Sequence, residues 1–421
     1  MPQDYLVNIR EKQITIPSTA GLREKWTGAM LDPTGRAYAG AIRIDFSLNC
    51  DKEKVINIVT DTLAQFPILA AQFKMENDIL VGYAPKESVL RETLKEHLST
   101  EDTCISDEAF LSYCATKASD PGLRLASNTD DTGFHLWVGF WIYTCDGASI
   151  DLLIDEIANR YMGRAQKSFK SWTEYTEVEI NQSLKREKSK HSDEVYPVPG
   201  PYGIDAVRAT PRVAVGQSKS VQFSSSVPRS MVLTCARAYR VTPFVLLFAA
   251  YQHAISAVSE KNTIITGVPF VNRQNPDDFT VVGPLSNTIP ITTHHKSHES
   301  LASVVNKVQH AVLEAAGRQS LEIAALYPEG ITSRNVGYDL PFPQLFNAWN
   351  SQREGAQISL GNSKSMRLSL LPNDTYRAGF EITLDDSSEY ISGRIDMDTQ
   401  AYGKFADKVI EQMMAGLKSL N

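Results

Sequence analysis

The ten residues Phe140-Trp141-Ile142-Tyr143-Thr144-Cys145-Asp146-Gly147-Ala148-Ser149 bring side chains able to do chemistry to one polar turn. Asp146-Gly147 is the turn pair, and Asp146 or Ser149 can cap a helix that follows it. A strand that runs into such a turn and then a helix is a common place to present catalytic groups. The same residue types also make an ordinary strand–turn–helix junction. Of the eight histidines, His135 lies seven positions before Ile142. Strict strand alternation puts these two side chains on opposite faces, so His135 reads as a structural residue. His294, His295 and His298 cluster after an apolar run but lack a fourth ligand, and they read as solvated side chains rather than a metal centre. A phosphate-binding Gly-Lys-Ser/Thr loop, a paired-glycine dinucleotide fingerprint, Cys-x-x-Cys and Gly-x-Ser-x-Gly are all missing from the sequence. No cofactor and no metal are expected.

The elements that must position the turn can be read on either side of it. Phe134 to Ile142 is rich in aromatics and reads as a strand. Ile150, Leu153, Ile154, Ile157 and Tyr161 fall on one face of a helix. Upstream, residues 14–33 read as an irregular lead-in, Tyr38 to Leu48 as a strand, Asp51 to Phe66 as a helix, and Phe73 to Pro85 as a further strand region. Leu123 to Ser127 pairs with Phe134 to Ile142 through the turn-rich residues 128–133. A charge run followed by Pro197, Pro199 and Pro201 makes 182–203 a linker between an N-terminal unit, 1–181, and a C-terminal unit, 204–421. In the latter, Thr242-Pro243 starts a helix with Thr as cap and Pro in its first turn. Strands are expected at Asn262 to Phe270, Leu285 to Thr292, Met366 to Leu371, Ala378 to Leu384 and Ile391 to Met397. Helices are expected at Leu301 to Ala316 and Ala401 to Leu417.

At 421 residues the chain has room for two cores, and 42% hydrophobic with 22% charged residues is ordinary for a globular protein. A net charge of −7 argues against nucleic acid or an anionic membrane as partner. Five scattered cysteines and the lack of either a spanning apolar run or a secretion signal give the expectation of a soluble, cytoplasmic protein.

Several pieces, in order, resemble the condensation domains of non-ribosomal peptide synthetases, and the likeness spans almost the whole chain. Asp120-Pro121-Gly122-Leu123-Arg124-Leu125, the hairpin and Trp141 to Ser149 resemble the stretch that carries the family's His-His-x-x-x-Asp-Gly signature. Gly267 to Arg273 resembles its strand ending in Asn-Arg, and Val282 to Pro290 its Val-Gly-x-x-x-Asn-Thr-x-Pro motif. Phe346-Asn347-Ala348-Trp349-Asn350 is similar to its Phe-Asn-x-x-Asn segment. The resemblance implies an α/β fold (an α+β sandwich) of two chloramphenicol acetyltransferase-like halves in a V around a tunnel. It further implies substrates tethered to carrier proteins, and an amine joined to an acyl thioester with help from the second signature histidine.

Counting back from Asp146-Gly147, those two histidine positions hold Trp141 and Ile142, neither of which accepts a proton. Asp146, Gly147 and Arg273 keep the family's structural pair at the site. The family's Arg-His and a further Arg are replaced in Gln65-Phe66-Pro67-Ile68-Leu69-Ala70-Ala71. Three readings follow. In the first, a stand-alone enzyme of natural-product (polyketide or peptide) biosynthesis cyclises a tunnel-bound intermediate, a pericyclic step among the options. Tyr143, Thr144, Ser286 and Asn287 would then be its hydrogen-bonding groups, and Trp141, Ile142, Asn347 and Trp349 its substrate contacts. The second is acyl transfer to an amide or ester without the histidine. The third is a non-catalytic domain that recruits a carrier protein or tailoring enzyme. The expected partner is a small-molecule or carrier-tethered polyketide or peptide intermediate; with no fused adenylation or carrier domain seen, the protein is expected to act alone or with a carrier protein in trans.

Overall fold

In the computed structural model the described residues are 13–32, 34–100, 106–115, 122–188, 218–296, 298–320, 342–348, 355–372, 375–385 and 388–420. The chain opens with β1 (Gln13–Pro17), α1 (Ala20–Leu31), β2 (Ala39–Ser47), α2 (Lys52–Ala64), β3 (Gln72–Glu76) and β4 (Ile79–Pro85). Next come α3 (Glu87–Thr100), α4 (Asp107–Cys114), β5 (Arg124–Thr129), β6 (Gly133–Trp141), α5 (Gly147–Tyr161) and α6 (Trp172–Lys188). The second half contains β7 (Ser218–Pro228), α7 (Arg229–Tyr239), α8 (Pro243–Ser259), β8 (Thr263–Phe270), β9 (Asn287–His294) and α9 (Leu301–Gly317). It closes with β10 (Gln344–Ala348), β11 (Gln357–Gly361), β12 (Lys364–Leu371), β13 (Phe380–Asp385), β14 (Tyr390–Asp398), α10 (Thr399–Tyr402) and α11 (Ala406–Lys418).

Two cores organise these elements. In the first half, Ile44, Phe46, Val59, Leu63, Leu136, Ile154 and Ile157 pack α2 and α5 onto a sheet of order β11-β12-β2-β6-β5. In the second, the α8 residues Leu246 to Ala250, with Val409 and Met413 of α11, lie on the six-stranded sheet β7-β14-β13-β10-β8-β9. Each large side chain so buried contributes roughly 1.5–3 kcal/mol. The α8 start matches its sequence signal: the Thr242 hydroxyl accepts from Val245 N–H and Pro243 opens the helix. Among the described residues no single helix is long and apolar enough to cross a membrane.

Three expectations need correction. Residues 14–33 are not irregular but form β1 and α1, the latter capped by Thr19. The strand region expected at 73–85 is the β3–β4 hairpin, in whose turn Asn77 and Asp78 both take positive φ, as a two-residue type I′ turn demands. The closing helix is broken into α10 and α11 around Gly403. The expected linker begins inside α6, which runs to Lys188, while 189–217 lie outside the described residues. In addition, the β11–β12 hairpin of the second half completes the sheet of the first, with Leu368 opposite Ile44 and Leu370 opposite Ile42.

Candidate functional site

The end of β6 feeds the turn, and β2 sets its register, with Ala39 opposite Trp141. Asp146 caps α5 by accepting from Ser149 N–H at 2.9 Å. Its carboxylate also takes Ser286 N–H, 140 residues further along the chain, at 2.8 Å. From the loop after β8, Arg273 meets it with both guanidinium ends, Nη1 to Oδ2 at 2.8 Å and Nη2 to Oδ1 at 3.0 Å. Both side chains are nearly sealed from solvent, at 1% and 3% exposure. Burial alone would raise the Asp146 carboxyl. The Arg273 charge and its hydrogen bonds override burial and hold the carboxyl below its ordinary value.

Ser149 is the second tie. Its Oγ lies 2.7 Å from Asp146 Oδ1 and 2.8 Å from Gly283 O, and it accepts from Gly283 N–H at 3.0 Å. Gly283 must be glycine here, because a Cβ would sit 2.4 Å from the Trp172 ring. The Val282-Gly283 motif and the Asp146-Gly147 turn are thus two sides of one buried joint.

The turn's other residues face inward. Trp141 is 3% exposed and stacks on Tyr143, ring centroids 5.5 Å apart, while Tyr143 meets Phe73 edge-on. The Thr144 hydroxyl donates to Trp141 O at 2.9 Å inside the turn. Cys145 is buried, and burial pushes its thiol up. Between Trp141 and Asp146 only Ile142 is not buried. Tyr143 and Thr144, expected as donors to a bound carbonyl, therefore face no open surface. Asn287 is similarly committed, its Nδ2 donating to Gln319 O at 2.9 Å. Asn347 is half-buried on β10, and Trp349 lies outside the described residues, as do Asp120 and Pro121. Ser286 differs: it is half-buried, whereas every other residue from Val281 to Asn287 is buried.

One charged side chain at this loop escaped the sequence reading. Lys25 of α1 reaches across to the same loop and donates to Pro284 O at 2.8 Å and to Ser286 O, with Ser286 Oγ at 3.5 Å. Its spacing from Leu22 and Ala29, both buried, places it on the inward side of the helix. A lysine at an inward position was the available signal, hidden because no helix was expected there. Burial dominates its titration and lowers the ammonium to about 8, against the opposing pull of Asp146 and Glu24.

His135 and His295 are tied into the packing. His135 stands opposite Asp45 in register and is held from both sides, Nδ1 to Asp45 at 2.6 Å and Nε2 to Asp130 at 3.0 Å. Burial lowers its basicity, but the two carboxylates more than offset this and leave the imidazolium favoured. A raised folded value means its contribution is complete below the unfolded value of about 6.5 and is lost as pH rises through the folded one. The protection of the 128–135 hairpin amides, corrected for the intrinsic rise of exchange with pH, is therefore expected to fall as pH rises through the folded value, and His135→Phe to remove that fall. His295, expected to be solvated, is instead buried against Thr293, and burial lowers it to about 4.

A cavity of about 20 Å³ lies inside the first core, lined by Ile42, Leu63, Val138 and Ile154. It is fully apolar and has room for a single water at most. It does not touch Ser286 or Lys25.

Comparison with known proteins bears on the family and the fold. A family model described as condensation domain matches residues 15–420. Surfactin synthase subunit 1 of Bacillus subtilis (strain 168) is 22% identical over 383 residues, 89% of this chain and 10% of its own. Tyrocidine synthase 2 of Brevibacillus parabrevis is 23% identical over 360 residues, 81% of this chain and 10% of its own. The chain thus spans about a tenth of the length of these two relatives. The solved condensation domain from the monacolin K polyketide synthase superposes with a TM-score of 0.70 at 12% identity, covering 96% of this chain and 97% of that one. The X-domain from teicoplanin biosynthesis gives 0.70 at 14%, covering 96% and 94%. These likenesses establish the α/β fold.

Proposed function

Because the chain belongs to the condensation-domain family, we propose that it works in natural-product biosynthesis, cyclising a polyketide or peptide intermediate held between its halves and delivered on a carrier protein. One observation carries this reading. The buried Asp146–Arg273 joint is whole, while the two positions where the family places histidines hold Trp141 and a half-buried Ile142. The joint keeps the two halves in register, and apolar side chains favour shaping a chain over taking its proton. Holding reacting atoms in a near-attack arrangement can lower a barrier by roughly 7–11 kcal/mol.

Deletion of the gene in its producing organism, followed by mass spectrometry of the metabolites, tests this. The expected result is loss of a cyclic product and accumulation of its open-chain form. That form has the same mass if the ring closes by rearrangement, or one water more if it closes by acyl capture. Unjoined smaller fragments would overturn cyclisation in favour of condensation of two units. A second reading, the recruiting domain, draws support from Trp141 being 3% exposed and filling the place of a reactive group. It predicts loss of every pathway compound on deletion, with full rescue by a Ser286→Ala chain.

A further inference from the structure

Lys25 of α1 and Ser286, 261 residues further along the chain, meet where the run from Val281 to Asn287 is least buried. The lysine has no carboxylate within ion-pair distance among the contacts of the described residues. Its Nζ instead faces two carbonyl oxygens and one hydroxyl. Pro284 O and Ser286 O accept from the ammonium, and Ser286 Oγ lies 3.5 Å from it. An amine short of one proton still has the two hydrogens those carbonyls need and a lone pair to offer the hydroxyl. Ser286 is itself held, since its N–H is fixed on Asp146 at 2.8 Å. A nucleophile, a base and a means of orienting both are therefore present without any histidine. Contacts of this length commonly tighten when substrate binds.

We propose that Lys25 and Ser286 form a serine–lysine acylation dyad for acyl thioesters, with Ser286 Oγ as nucleophile and Lys25 Nζ as proton acceptor. Serine–lysine pairs replace serine–histidine pairs on unrelated folds, so the chemistry needs geometry rather than ancestry. Ser286 Oγ attacks the thioester carbonyl carbon as its proton passes to Lys25. The C–S bond breaks, and the departing thiolate takes that proton away as thiol. The acyl group remains as an ester on Ser286. The second step alone rests on the cyclisation reading: a hydroxyl or amine of the same acyl chain gives its proton to Lys25 and attacks the ester carbonyl. The bond to Ser286 Oγ breaks, Lys25 returns the proton to that oxygen, and a lactone or lactam leaves. Both steps balance without oxidant, reductant or metal. The charges facing Lys25 are Asp146 and Glu24, which favour the ammonium, and Arg377 and Arg273, which oppose it. Burial is the largest influence and leaves the amine titrating at about 8.

The test uses the full chain with the octanoyl thioester of N-acetylcysteamine, following thiol release and the mass of tryptic peptides. The expected result is octanoate on Ser286, with release rising as pH passes through about 8. Ser286→Ala and Lys25→Arg should each lower release by roughly 10²-fold or more. Lys25→Arg keeps a donor for the carbonyls and cannot accept a proton, so its folding, checked by thermal melting, should persist. Release that is unchanged in Lys25→Arg, or an adduct on Lys25 itself or a cysteine, overturns the dyad. A Ser286 adduct with an intact deletion-strain product would sink the cyclisation reading and leave the dyad standing. Ring closure in wild type with neither adduct nor Lys25 dependence would do the reverse.

Discussion

Arg273→Met lowers the free energy of unfolding by about 3–5 kcal/mol, because it leaves the Asp146 carboxylate buried without its counter-charge. The pair is 1% and 3% exposed, so solvent does not screen the loss. Urea unfolding of the two proteins side by side reads it, and a difference below about 1 kcal/mol would show that Ser149 and the Ser286 N–H suffice to hold the carboxylate. Arg273→Lys should not rescue, since one ammonium cannot reproduce a two-pronged contact that also reaches Val271 O and Val281 O. The pH dependence has a definite sign. The folded Asp146 carboxyl lies below the unfolded value of about 3.9, so its stabilisation is complete above that value. It fades as pH falls through the folded value. Acid should therefore destabilise wild type more steeply than the Arg273→Met protein.

Trp141→Ala is the second large loss, about 3–5 kcal/mol, from removal of a buried indole that stacks on Tyr143. A size exchange separates packing from other effects. A Cβ at Gly122 would lie 2.9 Å from the Trp141 ring and 3.0 Å from Leu69 O. Gly122→Ala alone should cost about 1–3 kcal/mol by overpacking. In the Trp141→Ala background the ring clash vanishes while the backbone contact stays, so the double mutant should be more stable than the sum of singles predicts. Strict additivity in thermal melts would mean that the loop around Gly122 moves independently of the turn.

What the sequence revealed depended on how local each signal was. The Thr242-Pro243 start of α8 and the cap of α5 are written in adjacent residues, and both stand where the spacing put them. The likeness to condensation domains likewise rests on short motifs, each a few residues long. The buried joint behind those motifs was only half legible: the Asp146–Arg273 pair followed from the family. The part played by Ser149 and Gly283 requires two loops 134 residues apart to touch. Helix α1 went unread because Gly21 and Gly28 lie within it and only Leu22, Gly28 and Ala29 of its residues are buried. Lys25 went with it. Donor assignments fared differently again. Hydroxyl groups at Tyr143 and Thr144 look available in a string of letters, yet the stacking of Trp141 on Tyr143 and the Thr144–Trp141 carbonyl bond turn both inward.

The β11–β12 hairpin sets a constraint on how the chain comes into being. Strand β2 leaves the ribosome early, but its partner β12 begins at Lys364, roughly 320 residues after Ser47. At about 5–20 residues per second, the edge of β2 waits on the order of tens of seconds for the strand that will cover it. During that interval the nascent first half offers an open row of amide and carbonyl groups, flanked by Ile42, Ile44 and Phe46, to any other extended chain. A cell making this protein must guard that edge with a chaperone or accept losses to aggregation, and slower translation would lengthen the exposure.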